Sequence, residues 1–145
     1  MSGPLAGVRI VDLTTVVMGP FATQILADLG ADVVKVEPPE GDVLRHIAPM
    51  KHPGMGHIFL HHNRNKRSVV LDLKQAAGRE ALLRLARTAD VLIYNVRPQA
   101  MRRLRLAYED VSAVNPRIIY VGAYGYSQAG RYAAQPAYDD LIQGM

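Results

Sequence analysis

Short apolar runs rich in β-branched residues recur along the chain, and polar residues do not alternate regularly within them. This pattern is typical of strands that are covered on both faces of a sheet. Turn-forming residues bound the runs, so each one is short enough to be a strand rather than a buried helix. The predicted strands are Val8–Leu13, Val33–Val36, Ser68–Leu73, Asp90–Tyr94 and Ile118–Val121.

Amphipathic segments lie between these runs. The first begins at the break Gly19-Pro20, and we expect it to bury one apolar face because its large apolar residues recur at helical spacing. That face consists of Phe21, Ile25, Leu26 and Leu29. Gly30 follows as the expected left-handed C-terminal cap. Further helices are predicted at Gln75–Thr88, Pro98–Leu104, Tyr108–Val114 and from Pro136 onward.

Strands that alternate with helices predict a parallel, doubly wound α/β sheet of the Rossmann-like type. Residues 43–67 and 122–135 show no clear period, and both are predicted as loops. The length of 145 residues corresponds to one domain. The last predicted helix has barely begun where the sequence stops, so we interpret residues 1–145 as one part of a larger enzyme.

Composition narrows the class of protein. The chain is 49% hydrophobic and 21% charged, which is ordinary for a globular protein in water. It contains no cysteine, so a disulfide framework and a thiolate metal site are excluded. No apolar run approaches the length of a membrane span, and we expect a cytoplasmic protein without a membrane partner. A net charge of +4 favours anionic ligands without identifying them.

The first turn after a strand is where a dinucleotide would bind. A Rossmann fingerprint G-x-G-x-x-G would follow the first strand, but this turn offers only Gly19, followed by Pro20. Glu37, at the end of the second strand, resembles the acidic residue that binds an adenosine ribose, although we expect a solvated side chain there. The sequence therefore disfavours NAD as the ligand.

Two loop clusters carry further candidate chemistry. The densest positive patch is Asn63-Arg64-Asn65-Lys66-Arg67, which is either a phosphate site or a solvated loop; without interleaved aromatic residues it does not indicate nucleic acid. Five histidines share the loop before it, but their spacing matches no metal site, so no metal is predicted. They are His46, His52, His57, His61 and His62.

Polar residues also follow the third and fourth strands. Lys74 lies just after the third strand, and Asn95 and Arg97 lie just after the fourth. Because the carboxyl ends of parallel strands share one edge of a sheet, these side chains should converge on a site there. At the last predicted helix, Tyr138 precedes Asp139 and Asp140, and the two aspartates suit a helix N-terminus without any catalytic role.

Taken in order, these segments resemble the class III (CaiB/BaiF-type) CoA-transferases. This family includes formyl-CoA transferase, carnitine CoA-transferase and alpha-methylacyl-CoA racemase. The resemblance covers essentially the whole chain but only about the first third of a typical member. The matching segments are Pro4–Leu13, Gly19-Pro20, Leu29–Glu37, Asn63–Ser68, Leu71–Lys74, Ala89–Ile93, Arg97-Pro98, Asn115–Arg117 and the Gly-Tyr-Ser-Gln run from Gly125.

The resemblance implies that residues 1–145 are the N-terminal part of a large Rossmann-like domain in an interlocked homodimer. It implies acyl-CoA and carboxylic acids as substrates, with coenzyme A bound at the strand ends and no prosthetic group. Pro38 stands where some members stack an arginine on adenine. Carried over by position, the CoA contacts are Thr15, Val16, Pro38, Leu71, Lys74, Asn95, Val96, Arg103 and Leu104.

Family members that transfer CoA use an aspartate, which forms a mixed anhydride and then a CoA thioester. The resemblance puts this aspartate in a Gly-Asp segment beyond Tyr138, so the chain alone is expected to be inactive. Racemases have a basic histidine at position 138, whereas a phenol is a poor base at neutral pH. Tyr138, as a supporting residue, therefore favours a transferase; a racemase and a non-catalytic CoA-binding module remain alternatives. Val17 replaces a glutamine of oxalate-using members, which disfavours oxalate and formate.

Overall fold

The computed structural model describes residues 2–145, which form one parallel sheet with helices on both faces. The strands are β1 (Arg9–Leu13), β2 (Asp32–Glu37), β3 (Lys66–Val70), β4 (Val91–Tyr94) and β5 (Ile119–Gly122). The helices are α1 (Met18–Asp28), α2 (His57–His62), α3 (Ala76–Ala86), α4 (Pro98–Arg103), α5 (Tyr108–Ser112) and α6 (Asp139–Gln143). No helix among the described residues is long and apolar enough to cross a membrane.

The five strands lie in the order β3-β2-β1-β4-β5, and every pairing is parallel. Val11 in the central strand pairs with Val34 of β2 on one side and with Leu92 of β4 on the other. The chain runs outward from β1 to β3 and then returns to place β4 beside β1. Between β1 and β4 the order reverses, and this switch point is where open α/β sheets bind ligands. The predicted α/β, doubly wound fold is confirmed.

Two apolar clusters cover the two faces of the sheet. The larger contains Val11 and Leu92 together with Leu82 of α3 and Met101 of α4, all buried. The smaller joins Ile10 of β1 to residues of α1 and β2. Since neighbouring residues of a strand point to opposite faces, Ile10 and Val11 enter different clusters.

The prediction for the buried face of α1 is wrong for three of its four residues; only Leu26 packs against the smaller apolar cluster. Phe21, Ile25 and Leu29 are 45%, 43% and 40% exposed, and the helix instead buries small and polar residues. The buried residues are Gly19, Pro20, Thr23, Gln24 and Ala27. A Cβ on Gly19 would lie 2.4 Å from Thr14 Cβ, so the absence of a side chain lets the helix approach the end of β1 closely. That close approach, rather than the apolar period, sets the rotation of the helix.

The predicted loop at residues 43–67 is partly ordered into helices. A 3-10 turn forms at Val43–His46, where the Asp42 carboxylate accepts a hydrogen bond from the Leu44 N–H at 3.0 Å. Helix α2 then places Phe59 in the interior, with the Arg45 guanidinium 3.8 Å from its ring centroid. Strand β3 begins at Lys66, two residues before the predicted start at Ser68. Gly30, at φ +103°, takes the left-handed conformation predicted for it.

Candidate functional site

Asn95 and Thr15 join the ends of β4 and β1 at the switch point. The Thr15 N–H donates to Asn95 Oδ1 at 3.1 Å, and Asn95 Nδ2 donates to the Thr15 carbonyl at 2.9 Å. Both residues are half-buried, so part of each remains accessible at this end of the sheet. Thr15 and Asn95, which the resemblance names as CoA contacts, are therefore in direct contact with each other.

Val16 continues this loop in a strained conformation. Its φ is 70°, in the left-handed region that β-branched residues almost never adopt, and its side chain is 45% exposed. Asn95 holds the preceding residue, and the Val17 carbonyl accepts the first helical hydrogen bond, from the Phe21 N–H at 2.8 Å. The loop is thus fixed on both sides of Val16. Strain of this kind persists only where surrounding contacts impose it, and it concentrates at functional sites.

A buried group of charged residues lies beneath the loop, and sequence reasoning missed it. Asp12 is fully buried and accepts hydrogen bonds from the Thr14 N–H (2.8 Å), Thr14 Oγ1 (2.5 Å) and Thr23 Oγ1 (2.6 Å). Lys66 Nζ donates to Asp12 Oδ2 at 3.1 Å and has 1% of its side chain exposed. Burial lowers the pKa of Lys66, while the Asp12 carboxylate opposes that effect.

Lys35 is the second buried ammonium group of this cluster. It donates to the Thr14 carbonyl at 2.8 Å and lies 3.0 Å from Asp42 Oδ2, with both side chains essentially inaccessible. Asp12 and Lys35 pair in the register of β1 and β2. The available sequence signal was one polar residue at the matching position of each apolar run, Val11-Asp12-Leu13 and Val34-Lys35-Val36.

Glu37 is not solvated, contrary to the prediction. It is 2% exposed and accepts two hydrogen bonds of 2.7 Å from the Arg45 guanidinium and one of 2.5 Å from Ser68 Oγ. Burial acts to raise the pKa of Glu37, but the hydrogen bonds from Arg45, Ser68 and the Asp42 N–H outweigh it and lower the pKa to about 2. Because its oxygens are engaged inside the protein, Glu37 is unavailable to a ribose.

The positive patch at residues 63–67 is mostly neutralised by carboxylates. Arg64 Nη2 lies 2.7 Å from Asp28 Oδ2, and Arg67 Nη2 lies 2.7 Å from Asp32 Oδ2. Lys66 is buried against Asp12. The cations are therefore paired and not free for a phosphate; Arg64 and Arg67 remain exposed, as the solvated-loop alternative expects, whereas Lys66 does not.

Unpaired cations follow β3 and β4 in the chain: Lys74 and Arg97 come soon after the two strands, and Arg103 ends α4. Lys74, Arg97 and Arg103 are exposed, and within residues 2–145 none of them forms an ion pair. The Lys74 N–H donates to Asp72 Oδ1 at 3.0 Å, which orders the turn that carries its free ammonium group. These cations are available to an anionic ligand.

The remaining predicted contacts differ in exposure. Pro38 is exposed directly after β2, and the Leu71 N–H donates to the Glu37 carbonyl at 2.9 Å, which brings Leu71 beside that strand end. Val96 and Leu104 are half-buried and pack against the larger apolar cluster. We therefore expect the Pro38 side chain to contact the ligand directly. Val96 and Leu104 would support the binding surface from inside the protein.

Tyr138 lies apart from these residues. It is 67% exposed, immediately precedes α6, and makes no side-chain hydrogen bond to any residue the structure describes. Helix α6 buries no residue, and Asp139 and Asp140 occupy its first turn, as expected for a helix N-terminus. The structure of residues 2–145 therefore does not join Tyr138 to Thr15 and Asn95.

The histidine-rich loop makes apolar contacts. His62 packs edge-on against Phe21, with ring centroids 5.3 Å apart. Burial, followed by the positive charges of His61, Lys66 and Arg64, lowers the pKa of His62. In the part of the chain that the structure describes, no group of three or more His, Asp or Glu side chains is arranged to hold a metal ion.

Comparison with known proteins supports the resemblance read from the sequence. A family model described as CoA-transferase family III matches residues 5–145. The acetyl-CoA:oxalate CoA-transferase of Acetobacter aceti is 44% identical over 99% of this chain and 37% of its own length. The succinate–glutarate CoA-transferase of Agrobacterium fabrum is 42% identical over 98% of this chain and 37% of its own length.

A solved structure shares the fold. The crystal structure of a CaiB/BaiF family protein from Brucella suis matches 99% of this chain at a TM-score of 0.94, with 40% identity, and the match covers 39% of that protein. The chain thus spans little more than a third of the relatives it matches.

Proposed function

This chain belongs to CoA-transferase family III, and we propose that it forms the coenzyme A-binding part of an enzyme that moves CoA between carboxylic acids. The observation that carries the proposal is the contact between Thr15 and Asn95 at the switch point, together with the unpaired cations that follow β3 and β4. A turn without G-x-G-x-x-G suits CoA. CoA has a long pantetheine arm, and a turn beside that arm does not need glycines to bring the backbone close to a phosphate. The relatives named above, both CoA-transferases, support the same reaction class.

We assign the two ends of CoA to different parts of the edge. Lys74 and Arg103 would attract the 3′-phosphate and the pyrophosphate, since both cations are exposed and unpaired among the described residues. Pro38 and Leu71 would contact the adenosine. The loop at Thr15 and Val16, together with Asn95 and Val96, would line the path of the pantetheine arm, with Leu104 behind it.

The proposed chemistry is covalent catalysis by an aspartate that these 145 residues do not include. Its carboxylate attacks the acyl carbon of acyl-CoA and expels the CoA thiolate, which leaves a mixed anhydride. The thiolate then attacks the aspartyl carbonyl, releasing the donor acid and forming an aspartyl-CoA thioester. The acceptor carboxylate takes over CoA by the reverse steps. We expect the present chain alone to bind CoA without turning it over, and the full-length protein to be a homodimer.

The substrate acid is proposed to carry an apolar acyl group. Val17, Met18 and Phe21 are all exposed at the start of α1, next to the strained loop. None of these side chains offers a hydrogen bond to a second carboxylate such as that of oxalate. Relatives are named for oxalate and for succinate and glutarate, all of them dicarboxylic acids. We propose that Val17 nevertheless disfavours oxalate in this protein. Tyr138 in place of a basic histidine argues against a racemase.

Calorimetric titration of the full-length protein with CoA and with NADH tests the ligand class. We expect CoA to bind and NADH not to bind; NADH binding without CoA binding would overturn the proposal. Exchange of isotope label between an acyl-CoA and a free carboxylic acid tests the reaction. Proton exchange at the α-carbon without an acceptor acid would identify a racemase, and CoA binding without either exchange would identify a non-catalytic module.

A further inference from the structure

Two buried lysines have no part in the chemistry described above, although both contact the loop at the switch point. Lys35 Nζ donates to the Thr14 carbonyl at 2.8 Å, and Lys66 Nζ donates to the Pro20 carbonyl at 2.8 Å. Thr14 and Pro20 bracket the segment 15–19, which contains the strained Val16. Lys35 therefore holds one end of this segment, and Lys66 holds the other.

The remaining bonds of the two lysines fix their own positions. Lys66 uses all three of its donors, on Pro20, on Asp12 (3.1 Å) and on Asn63 Oδ1 (2.9 Å). Lys35 is held by Asp42, 3.0 Å from its Nζ. Asp12 in turn accepts from the Thr14 N–H at 2.8 Å, so the backbone of Thr14 is held at both its N–H and its carbonyl.

Stability alone does not account for this arrangement. Replacing a buried ion pair by apolar side chains of similar volume is often neutral or stabilising, because two charges must lose their hydration. What an ammonium group supplies, and a methionine does not, is a directed hydrogen bond to one carbonyl. Lys35 directs that bond to the loop and Lys66 directs it to the first turn of α1; neither directs it to the strand on which it lies.

We infer that Lys35 and Lys66 are positioning residues, which set the affinity for CoA by fixing the Thr14 and Pro20 carbonyls and so holding Thr15 and Val16 in the crevice. The inference rests on the proposed function, because it names CoA as the ligand. Neither lysine contacts the ligand, since both are buried beneath the loop.

The main test is the double variant Lys35→Met with Asp42→Asn in the full-length protein. Methionine keeps most of the lysine volume, and asparagine keeps the Oδ1 that accepts from the Leu44 N–H. We expect the Kd for CoA to rise about tenfold, with a matching rise in the KM for acyl-CoA and little change in kcat. Hydrogen exchange at residues 14–17 should accelerate in the absence of ligand.

Asn115→Ala is the matched control. Asn115 Nδ2 donates to the carbonyls of Ala86 and Ala89, both at 2.8 Å, at the opposite edge of the sheet. This variant should lower the melting temperature without changing the Kd for CoA or exchange at residues 14–17. A wild-type Kd in the double variant overturns the inference, and so does a loss of affinity that both variants share in proportion to their melting temperatures.

Lys66→Met with Asp12→Asn acts on the other end of the segment, and it carries the test if the first double variant does not fold. It should also raise the Kd for CoA, and an unchanged Kd overturns the role of Lys66. Failure of the unaltered protein to bind CoA overturns the proposed function instead, so the two failures are distinguishable.

Discussion

Asn95 acts toward Thr15 as a neighbouring strand would, donating to its carbonyl at 2.9 Å and accepting from its N–H at 3.1 Å. This reciprocal pair continues the pairing of β1 with β4 beyond Leu13 and Tyr94, the last residues in register. A side chain thus extends the sheet by one step at the switch point. The two loops that line the crevice are therefore coupled.

Replacing Asn95 tests this coupling. Asn95→Ala removes both bonds and should cost about 1–3 kcal/mol in the free energy of unfolding, because the Thr15 backbone groups lose their partner. Asn95→Asp keeps an acceptor for the Thr15 N–H but sets a carboxylate against the Thr15 carbonyl and adds negative charge beside an anionic ligand. Calorimetry should rank CoA affinity as wild type, then Asn95→Ala, then Asn95→Asp. Tighter binding by the aspartate variant than by the alanine variant would contradict this account.

Val16 and Val17 form a natural pair for testing backbone strain. They are similarly exposed, at 45% and 42%, but their φ values are 70° and −111°. Val16→Gly should raise the free energy of unfolding by roughly 0.5–1 kcal/mol, since relief of left-handed strain exceeds the entropy that glycine loses on folding. Val17→Gly has no strain to relieve and should lower it. Urea unfolding measures both; a loss of stability in Val16→Gly equal to that in Val17→Gly would show that the loop is unstrained.

The unpaired cations predict a specific electrostatic pattern. Lys74→Ala and Arg103→Ala should each weaken CoA binding about tenfold at low salt, the usual effect of losing a charge-assisted hydrogen bond. The effect should shrink as salt is added. Arg117→Ala is the control, because Arg117 is also exposed and unpaired among the described residues but precedes β5 at the opposite edge.

Dephospho-CoA, which lacks the 3′-phosphate, identifies the cation at that phosphate. The variant that has lost this cation should bind CoA and dephospho-CoA equally, whereas the wild-type protein should prefer CoA. If Arg117→Ala weakened CoA binding as much as Lys74→Ala and Arg103→Ala do, the net charge of the protein, and not a defined site, would attract the ligand.

The buried Glu37–Arg45 pair predicts how stability depends on pH. The pKa of Glu37 falls from 4.5 to about 2 on folding, so the folded state favours the carboxylate. The resulting stability is fully present above pH 4.5 and is lost as pH falls toward 2. It amounts to roughly 3 kcal/mol at neutral pH.

Urea unfolding of the wild-type protein and of Glu37→Gln should therefore differ at neutral pH and converge in acid. Glu80→Gln, which alters an exposed glutamate of α3, should track the wild-type protein at every pH. A difference between the wild-type protein and Glu37→Gln that stays constant with pH would show that Glu37 stabilises only by packing.

The sequence predicted the sheet well because strand identity depends on local composition. All five apolar runs became strands within two or three residues, and Gly30 became the cap that its position implied. The interest in Lys74 and Asn95 followed from the rule that parallel strands end together, whereas Thr15 was named only by the family resemblance. For these features, the residue and its near neighbours contain most of the information.

The failures depend on contacts between distant residues. Phe21 and Ile25 satisfied a helical apolar period, but α1 places Gly19 against Thr14 and leaves Phe21 and Ile25 45% and 43% exposed. Glu37 looked solvated because its partner Arg45 lies in a segment without apolar period. Lys66 looked available to phosphate until Asp12, in another strand, was placed against it. Charge pairing of this kind is decided by topology and not by local pattern.

Strand order also dictates when the contact between Thr15 and Asn95 can form. Thr15 and Asn95 are separated by 80 positions in the chain, so a polypeptide emerging from the ribosome exposes the first long before the second exists. During that interval the strand destined for the middle of the sheet is a bare edge, open to other nascent chains. Once Tyr94 and Asn95 have been made and have emerged, β4 can pair with this exposed edge, and Asn95 can bind Thr15.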